Sequence, residues 1–377
     1  MTFPIIVDAH LDLAYNGLKF QRDYLYGSHS IRDSERDSYQ EAENGRCTVG
    51  FPDMMRGRVA IGFGTIFCEP ANARLGRGRG MSYTTPKEAH AQGVRQLDWY
   101  RRLAEREPRV HLISSRNDLH EVLGSWQAAP MGPTPPITRH MGSGSGGHSD
   151  GHRQIGLVLL MEGADPILEP KELEFWVEHG VRVVGLAWNQ TRYCGGTNAP
   201  GGLTKIGCEL LEEMARHGVM LDVSHMAHQA LMQALEVFEG RHVIASHSNP
   251  FRITPTDRHL PDEAIDLIAQ RGGVMGVVLY NRFLKHDWGK SSKKADVTLE
   301  HVVRCIDYVC QRTGSADHIG IGSDFDGGFG LESIPAELDG SRDLHKIGDH
   351  LILHGYSPSD AAKIMGGNWL RVLEAAL

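Results

Sequence analysis

The sequence lacks an apolar run long enough to cross a membrane, since none approaches the ~18 residues that a transmembrane helix needs. A signal peptide is also missing, because the segment that starts at Pro4 already has the pattern of a structural strand. These two absences predict a cytoplasmic protein that does not contact a membrane.

Cysteine and positive charge are also scarce. The six cysteines among 377 residues form neither a CxxC pair nor a regular framework, which predicts free thiols rather than disulfides. The chain has 39 basic and 47 acidic residues, and its formal net charge of −8 argues against nucleic-acid binding, which requires a basic surface. A hydrophobic content of 41% is sufficient for a large core.

Short apolar runs rich in β-branched residues recur along the chain. Most are continuously apolar rather than alternating, which is typical of parallel strands that are buried on both faces. The predicted strands are Pro4–Val7, Val59–Phe67, Ile155–Met161, Val181–Ala187, Val219–Val223, His242–Ser246, Gly273–Leu279 and His318–Ser323.

Segments with helical spacing separate these strands. They are Pro86–Arg106, Lys171–His179, Thr204–His217, His228–Phe238, Pro261–Gln270 and Thr298–Arg312, followed by Asp343–His354 and Ser359–Ala376 near the end. The alternation predicts one α/β domain over residues 1–377, a closed (β/α)8 TIM barrel of the metal-dependent hydrolase type. A doubly wound open sheet is the alternative, although no GxGxxG turn follows the first strand to suggest dinucleotide binding.

One segment, at about 129–153, departs from this pattern. It is rich in Pro, Gly and Ser, which predicts a surface excursion before the third strand. Its histidines are His140, His148 and His152, and we interpret them as solvated loop residues.

Polar residues with metal-binding or acid–base chemistry follow several predicted strands, and the active site of such a barrel lies at the carboxyl ends of its strands. His10 and Asp12 are two residues apart, so they face the same side of an extended chain. The full set comprises His10 and Asp12 after the first strand, Glu162 after the third, His225 after the fifth, His247 after the sixth and Asp324 after the eighth.

Three imidazoles and two carboxylates form a nitrogen and oxygen ligand set that suits zinc, with manganese, cobalt or iron possible. Five ligands are too many for one tetrahedral ion with an open position, so they predict two divalent ions. No lysine stands at a strand end to form a carbamylated bridge, which favours Glu162 as the bridging ligand. A hydroxide held between the ions would attack the substrate, and Asp324 would transfer the proton. Asp326 fits a turn role better.

The sequence resembles the membrane (renal) dipeptidase family, a branch of the amidohydrolase-like metal barrels. The stretches that carry the resemblance run in the family's order: DAHLD at 8–12, MEGADPI at 161–167, LDVSHM at 221–226, ASHSNPFR at 245–252, RHLPDEAI at 258–265 and IGIGSDFDG at 319–327.

The resemblance implies a two-zinc dipeptidase in which His10 and Asp12 bind one ion and Glu162 bridges. His225 and His247 would then bind the other ion. Asp324 matches the family's catalytic aspartate, and Arg258 matches the arginine that binds the substrate carboxylate, although the sequence alone favours a surface arginine. Tyr280, which ends the seventh strand, would either line the pocket or belong to the core. The family further implies a homodimer and tolerance of a C-terminal D-residue.

The sequence departs from the family after the fourth strand, where a histidine often binds the substrate carbonyl. Trp188 holds the matching place, and an indole offers one N–H donor and no charge. Carbonyl stabilisation would then come from the metals, from Asn189 or from the loop at 190–200.

These inferences predict hydrolysis of a dipeptide. Another amide, lactone or phosphoester hydrolase with the same metals is the alternative enzyme, since the metal centre does not select the substrate. A metal-loaded binding protein without turnover is the alternative of a different class.

Overall fold

Eight parallel strands form a sheet that nearly closes on itself. The computed structural model describes residues 5–71, 81–128 and 153–377. In chain order the strands are β1 (Ile6–Leu11), β2 (Val59–Phe67), β3 (Ile155–Glu162), β4 (Val181–Gly185), β5 (Met220–Asp222), β6 (Val243–Ile244), β7 (Met275–Val277) and β8 (Ile319–Ile321).

Neighbours in this sheet follow chain order. Continuous pairing links β1 through β6 and joins β7 to β8, and Asp8 pairs with Ile321 to bring β8 back against β1. A single parallel bridge between Ala245 and Met275 closes the remaining gap between β6 and β7. This topology confirms the predicted (β/α)8 barrel and excludes the open doubly wound sheet.

Each of the eight predicted strands overlaps a barrel strand, but the predicted range of the first strand begins and ends too early. It extends through Leu11, so that His10 lies within β1, while Pro4 is outside the described residues. Short pairings were missed, because strands of two to five residues leave little periodicity to detect. They are Val110–Leu112 beside β3, Glu69–Pro70 with Ser82–Tyr83, and Cys194–Gly196 with Ala199–Leu203.

Helices surround the barrel and connect its strands. They are α1 (Leu13–Lys19), α2 (Ser28–Glu35), α3 (Tyr39–Asn44), α4 (Phe51–Gly57), α5 (Pro86–Arg106), α6 (Arg116–Ala128), α7 (Leu173–Glu178), α8 (Lys205–His217), α9 (His228–Val237), α10 (Asp262–Gln270), α11 (Asn281–Leu284), α12 (Leu299–Thr313), α13 (His345–Leu353), α14 (Pro358–Ala362) and α15 (Asn368–Ala376). The predicted helix Ser359–Ala376 is therefore divided, because a wide helical turn at Lys363–Gly367 separates α14 from α15.

The barrel interior is apolar and tightly packed. All residues of β2 and β3 are buried, as expected for strands covered on both faces. At β7 and β8 the packing requires glycine, since a Cβ on Gly276 or Gly322 would lie 2.0 or 1.9 Å from the Ser246 carbonyl oxygen. The strands thus approach closely just below the ends of β6 and β8.

The predicted excursion at about 129–153 lies outside the described residues except for Arg153. Within the described ranges, no helix combines the length and apolar character needed to cross a membrane.

Candidate metal centre

The strand ends bring the polar residues singled out in the sequence to one place. His10 lies in β1 and Glu162 is the last residue of β3, while His225, His247 and Asp324 each come three residues after a strand. Asp12 follows β1 directly and precedes α1. All six residues are buried or nearly so.

The Glu162 carboxylate lies at the centre of this cluster. Its Oε1 is 3.0 Å from Nε2 of His225 and 3.3 Å from Nε2 of His247. Its Oε2 is 3.5 Å from Nε2 of His10. The two oxygens therefore face different histidines, which is the geometry expected of a carboxylate between two cations.

Two overlapping groups of side chains could each hold a metal ion. One comprises His10, Glu162 and His247, and the other comprises His10, Asp12 and Asp324; within each group the ligand atoms lie within 4.8 Å of one another. His10 belongs to both groups.

Several features of the cluster fit a bound cation. Nε2 of His10 is buried and makes no hydrogen bond within the described part of the chain. Nε2 of His225 and Nε2 of His247 are only 2.9 Å apart. Burial lowers the pKa of His225 to about 4 and holds that of His247 well below its usual value, so both imidazoles are in the neutral form that binds metals.

The carboxylates favour positive charge at the same place. Burial by itself lowers the pKa of His10, but the negative charges of Glu162, Asp12 and Asp324 outweigh this effect and raise it to about 9. Burial opposes ionisation of Glu162, yet nearby His10 brings the pKa of this carboxyl well below its usual range. A divalent cation would meet the same demand for positive charge.

Buried aspartates on two strands hold the loops that carry the site. In β5, Asp222 accepts hydrogen bonds from the backbone N–H of Ser246 at 2.9 Å and from its hydroxyl at 2.5 Å. In β1, Asp8 accepts bonds from the N–H and hydroxyl of Ser323 at 2.8 and 2.6 Å. Each serine directly precedes a residue of the cluster, so the same arrangement positions both His247 and Asp324.

Hydroxyl groups also orient individual members of the cluster. The Ser246 hydroxyl lies 2.8 Å from Nδ1 of His247, and Thr197 Oγ1 lies 3.1 Å from Nδ1 of His225. The Thr65 hydroxyl donates a short hydrogen bond to Asp12. With Nδ1 occupied in this way, the Nε2 atoms of both histidines face Glu162 at the centre of the cluster.

Asp324 and Asp326 are close in sequence but differ in environment. Burial, together with the charges of Asp12 and Glu162, raises the pKa of Asp324 well above its usual value. The Asp326 carboxylate instead contacts Arg22 at 3.1 Å and accepts two hydrogen bonds from Thr48. It is therefore part of the loop framework, in agreement with its predicted turn role.

A cavity of about 260 Å³ opens above the cluster, and Arg258 lies in its wall with only 4% of its surface exposed. The expectation of a surface arginine is therefore wrong. Its Nη1 donates to the Ser248 hydroxyl at 3.0 Å and its Nη2 to the His247 carbonyl at 2.7 Å, whereas the buried Nε makes no hydrogen bond to the described residues.

The remaining predicted pocket residues also line this cavity. Trp188 packs between Phe67 and His225, with ring centroids 5.1 and 6.1 Å away. Asn189 accepts a hydrogen bond from the N–H of the next residue. Tyr280 stacks on Phe329 at 4.4 Å. Trp188, Asn189 and Tyr280 are partly exposed, so their side chains can contact a bound molecule.

Comparison with known families agrees with this geometry. The model of the membrane dipeptidase family, peptidase family M19, matches residues 146–377, which is more than half of the chain. The chain belongs to the M19 membrane dipeptidase family. It is thus a hydrolase of a metallopeptidase family. His10 and Asp12 precede the matched region, and the other residues of the candidate metal centre lie within it.

Individual relatives support the same assignment. The chain is 34% identical to an uncharacterised Klebsiella pneumoniae protein from the pqqA 5′ region, over 58% of this chain and 82% of that protein. It is 25% identical to the dipeptidase aclJ of Aspergillus oryzae, over 98% of this chain and 77% of that one.

A solved structure shares the fold. The crystal structure of a metallopeptidase from Rhodobacter sphaeroides, liganded with a phosphinate mimic of the dipeptide L-Ala-D-Ala, covers 99% of each chain with a TM-score of 0.73 and 23% identity. This likeness supports the barrel over the whole length of the chain.

Sequence reasoning missed the residues that support the M19 site. Asp222 and Ser246 lie inside quoted stretches, and a buried aspartate in an apolar strand was a detectable signal. Thr197 lies in the hairpin of Cys194–Leu203, where a loop was predicted, and nothing in the sequence indicates its contact with His225.

Proposed function

We propose that this protein hydrolyses dipeptides with two divalent metal ions, most simply zinc, bound in the cluster. The observation that carries the proposal is the buried guanidinium of Arg258 in the same small cavity as the Glu162-centred cluster. A metal centre alone would suit many hydrolases, but a buried arginine with an unused N–H group selects a carboxylate-bearing substrate.

In this proposal, His10 and Asp12 would hold one ion, His225 and His247 would hold the other, and Glu162 would bind both. The nitrogen and oxygen donors fit zinc without any cysteine. When bound, two such ions polarise the scissile carbonyl and activate water at neutral pH.

Arg258 holds the free carboxylate of the substrate. Two of its N–H groups are engaged by Ser248 and His247, which fixes the plane of the guanidinium. The buried Nε–H has no partner among the described residues, so a substrate carboxylate would supply the missing acceptor. This anchor near the cluster limits substrates to short peptides.

Asp324 moves the proton. Its raised pKa makes it a good acceptor for the proton of the attacking water and a donor to the departing amine. Its Oδ1 lies 3.9 Å from Nε2 of His10, and this short distance to a proposed metal ligand supports the role.

Trp188 and Tyr280 form the walls that surround the substrate. Asn189 lines the same cavity and would assist the carbonyl with its amide where related proteins often have a histidine. Tolerance of a C-terminal D-residue is part of this proposal, supported by the dipeptide mimic bound to the Rhodobacter sphaeroides relative. We further propose that the chain forms a single domain and assembles as a homodimer. Light scattering, which measures the mass of the assembly, tests the dimer.

The test combines metal analysis with a dipeptide panel. We expect two ions per chain, hydrolysis of Ala-Ala and Ala-D-Ala, and little hydrolysis of Ala-Ala amide, which lacks the carboxylate. A fully loaded protein with fewer than two ions per chain, or with no activity towards any dipeptide, would contradict the proposal. Equal rates for the acid and the amide would instead favour a general amide hydrolase.

A further inference from the structure

Glu69 lies on the wall of the cavity opposite Arg258. It comes two residues after β2, and the Arg258 guanidinium bonds to His247 just after β6, so the two strands are four positions apart in a barrel of eight. Both residues line the same cavity, with the Glu162-centred cluster below. A substrate held at Arg258 by its carboxylate would therefore extend its other end towards Glu69.

The carboxylate of Glu69 is held firmly but is not saturated. Its Oε2 accepts hydrogen bonds from the Tyr15 hydroxyl at 2.6 Å and from Nζ of Lys19 at 3.4 Å. Both of these bonds are made to Oε2, and only 5% of the residue is exposed. Because Glu69 lines the cavity, Oε1 is the oxygen with which it would accept a hydrogen bond from a bound molecule.

The single positive charge of Lys19 does not neutralise Glu69 completely. Its Nζ also lies 4.0 Å from a carboxylate oxygen of Glu43, so one ammonium group is shared between two carboxylates. Phe67, edge-on to Tyr15 at 5.0 Å, provides an apolar surface beside Glu69. An apolar wall that ends at a carboxylate matches an alkyl chain that ends in a cation.

The position of Glu69 distinguishes between the two cations that a dipeptide can offer. Thr65 bonds to Asp12 at the cluster, and Glu69 lies four residues further along an extended segment, about 13 Å at the usual rise per residue. The α-amino nitrogen is only two bonds from the scissile carbonyl carbon. It would stay near the cluster, whereas a long side chain of the same residue could reach Glu69.

From this geometry we infer that Glu69 selects dipeptides whose N-terminal residue has a basic side chain, lysine or arginine. The inference rests on the proposed dipeptidase function. Glu69 acts as a specificity residue that contacts the substrate and takes no part in bond cleavage.

The test compares Lys-Ala with norleucyl-Ala, which has nearly the same length and no side-chain charge. We expect kcat/KM to favour Lys-Ala by about tenfold or more, as for a charge-assisted hydrogen bond in a partly buried site. Glu69→Gln should remove most of this preference and leave Ala-Ala hydrolysis within about twofold. Glu105→Gln, which makes the same charge change at an exposed site on α5, should retain the preference.

Equal use of both substrates by the wild-type protein, with Ala-Ala still cleaved, would overturn the inference but not the dipeptidase proposal. An equal loss for all three substrates in Glu69→Gln would also overturn it. If no dipeptide is cleaved, the dipeptidase proposal fails, and calorimetry with phosphinate analogues of Lys-Ala and norleucyl-Ala decides the inference. Tighter binding of the lysyl analogue, lost in Glu69→Gln, would support it, and equal or absent binding would overturn it.

Discussion

At the scale of single residues, the same side chain serves different purposes according to what surrounds it. Asp324 faces the carboxylates of the cluster and has a raised pKa, whereas the Asp326 carboxylate is bound by Arg22 and Thr48. Arg258 lies inside the cavity although its sequence context resembles a surface turn. Burial and partners therefore separate the proposed reacting groups from the framework.

Asp324→Asn tests the proton-transfer role. We expect the variant to bind two ions per chain and to lose about 10²–10⁴-fold in kcat, because an amide cannot accept the proton from the attacking water. Metal analysis and steady-state kinetics on Ala-D-Ala measure the two quantities. Loss of a metal ion would mean that Asp324 is chiefly a ligand.

Arg258→Met tests the carboxylate anchor. Methionine fills similar apolar space but cannot donate, so we expect kcat/KM for dipeptides to fall by about tenfold to a hundredfold. Activity towards Ala-Ala amide should change far less, which makes the amide the internal control. An equal fall for both substrates would indicate that Arg258 mainly supports the loop that carries His247.

At the scale of elements, strand ends and the short segments after them determine the site. His225, Asp324 and Asp326 have left-handed backbone conformations, with φ values of 65°, 59° and 65°. Non-glycine residues seldom adopt such conformations, and they are often found at functional sites. The hydrogen bonds of Asp222 and Asp8 hold these turns against neighbouring strands.

Gly322→Ala tests the close approach beneath these turns. The new Cβ would meet the Ser246 carbonyl oxygen, which is backbone and cannot move away freely, so we expect the free energy of unfolding to fall by about 1–3 kcal/mol or more. Denaturant unfolding followed by circular dichroism measures the change.

Gly124→Ala is the matched control, because no atom lies within 4 Å of its added Cβ within α6. It should stabilise the protein by about 0.5–1 kcal/mol, since alanine favours helix more than glycine does. Equal stability of Gly322→Ala and the wild-type protein would contradict the packing described for β8.

At the scale of the whole molecule, the barrel places ionisable groups from most of its strands at one end of an apolar interior. The cluster combines three carboxylates with three imidazoles, and burial keeps two of these imidazoles neutral. Without a cation, His10 is the main positive charge that offsets them. The negative charges of the cluster are thus only partly neutralised, and metal binding should stabilise the folded protein.

Metal removal tests this link between site and fold. A ligand that binds only the folded state stabilises it by about 4 kcal/mol at a thousandfold excess over its Kd. We therefore expect chelation to lower the Tm by about 5 °C or more, and zinc to restore it. Calorimetry with Asp324→Asn, which keeps the five proposed ligands, should give the same difference. An unchanged Tm after verified metal loss would contradict the proposed ligand set.

The order of the barrel strands and the residues at their ends were predictable from local sequence patterns. Continuous apolar runs specify buried parallel strands, and a regular strand–helix alternation permits few topologies, so β2, α5 and the members of the cluster were all predictable. These features are local, because each depends on residues that are neighbours in the chain.

Contacts between residues far apart in the chain become visible only in the folded protein. Arg258 is buried where its guanidinium bonds to Ser248 and the His247 carbonyl. Thr197 contacts His225 because Gly196 of the hairpin pairs with Met226. Glu69 and Arg258 oppose each other because the barrel closes. Such contacts join residues far apart in sequence, and no local pattern encodes a distance that arises from closing the whole sheet.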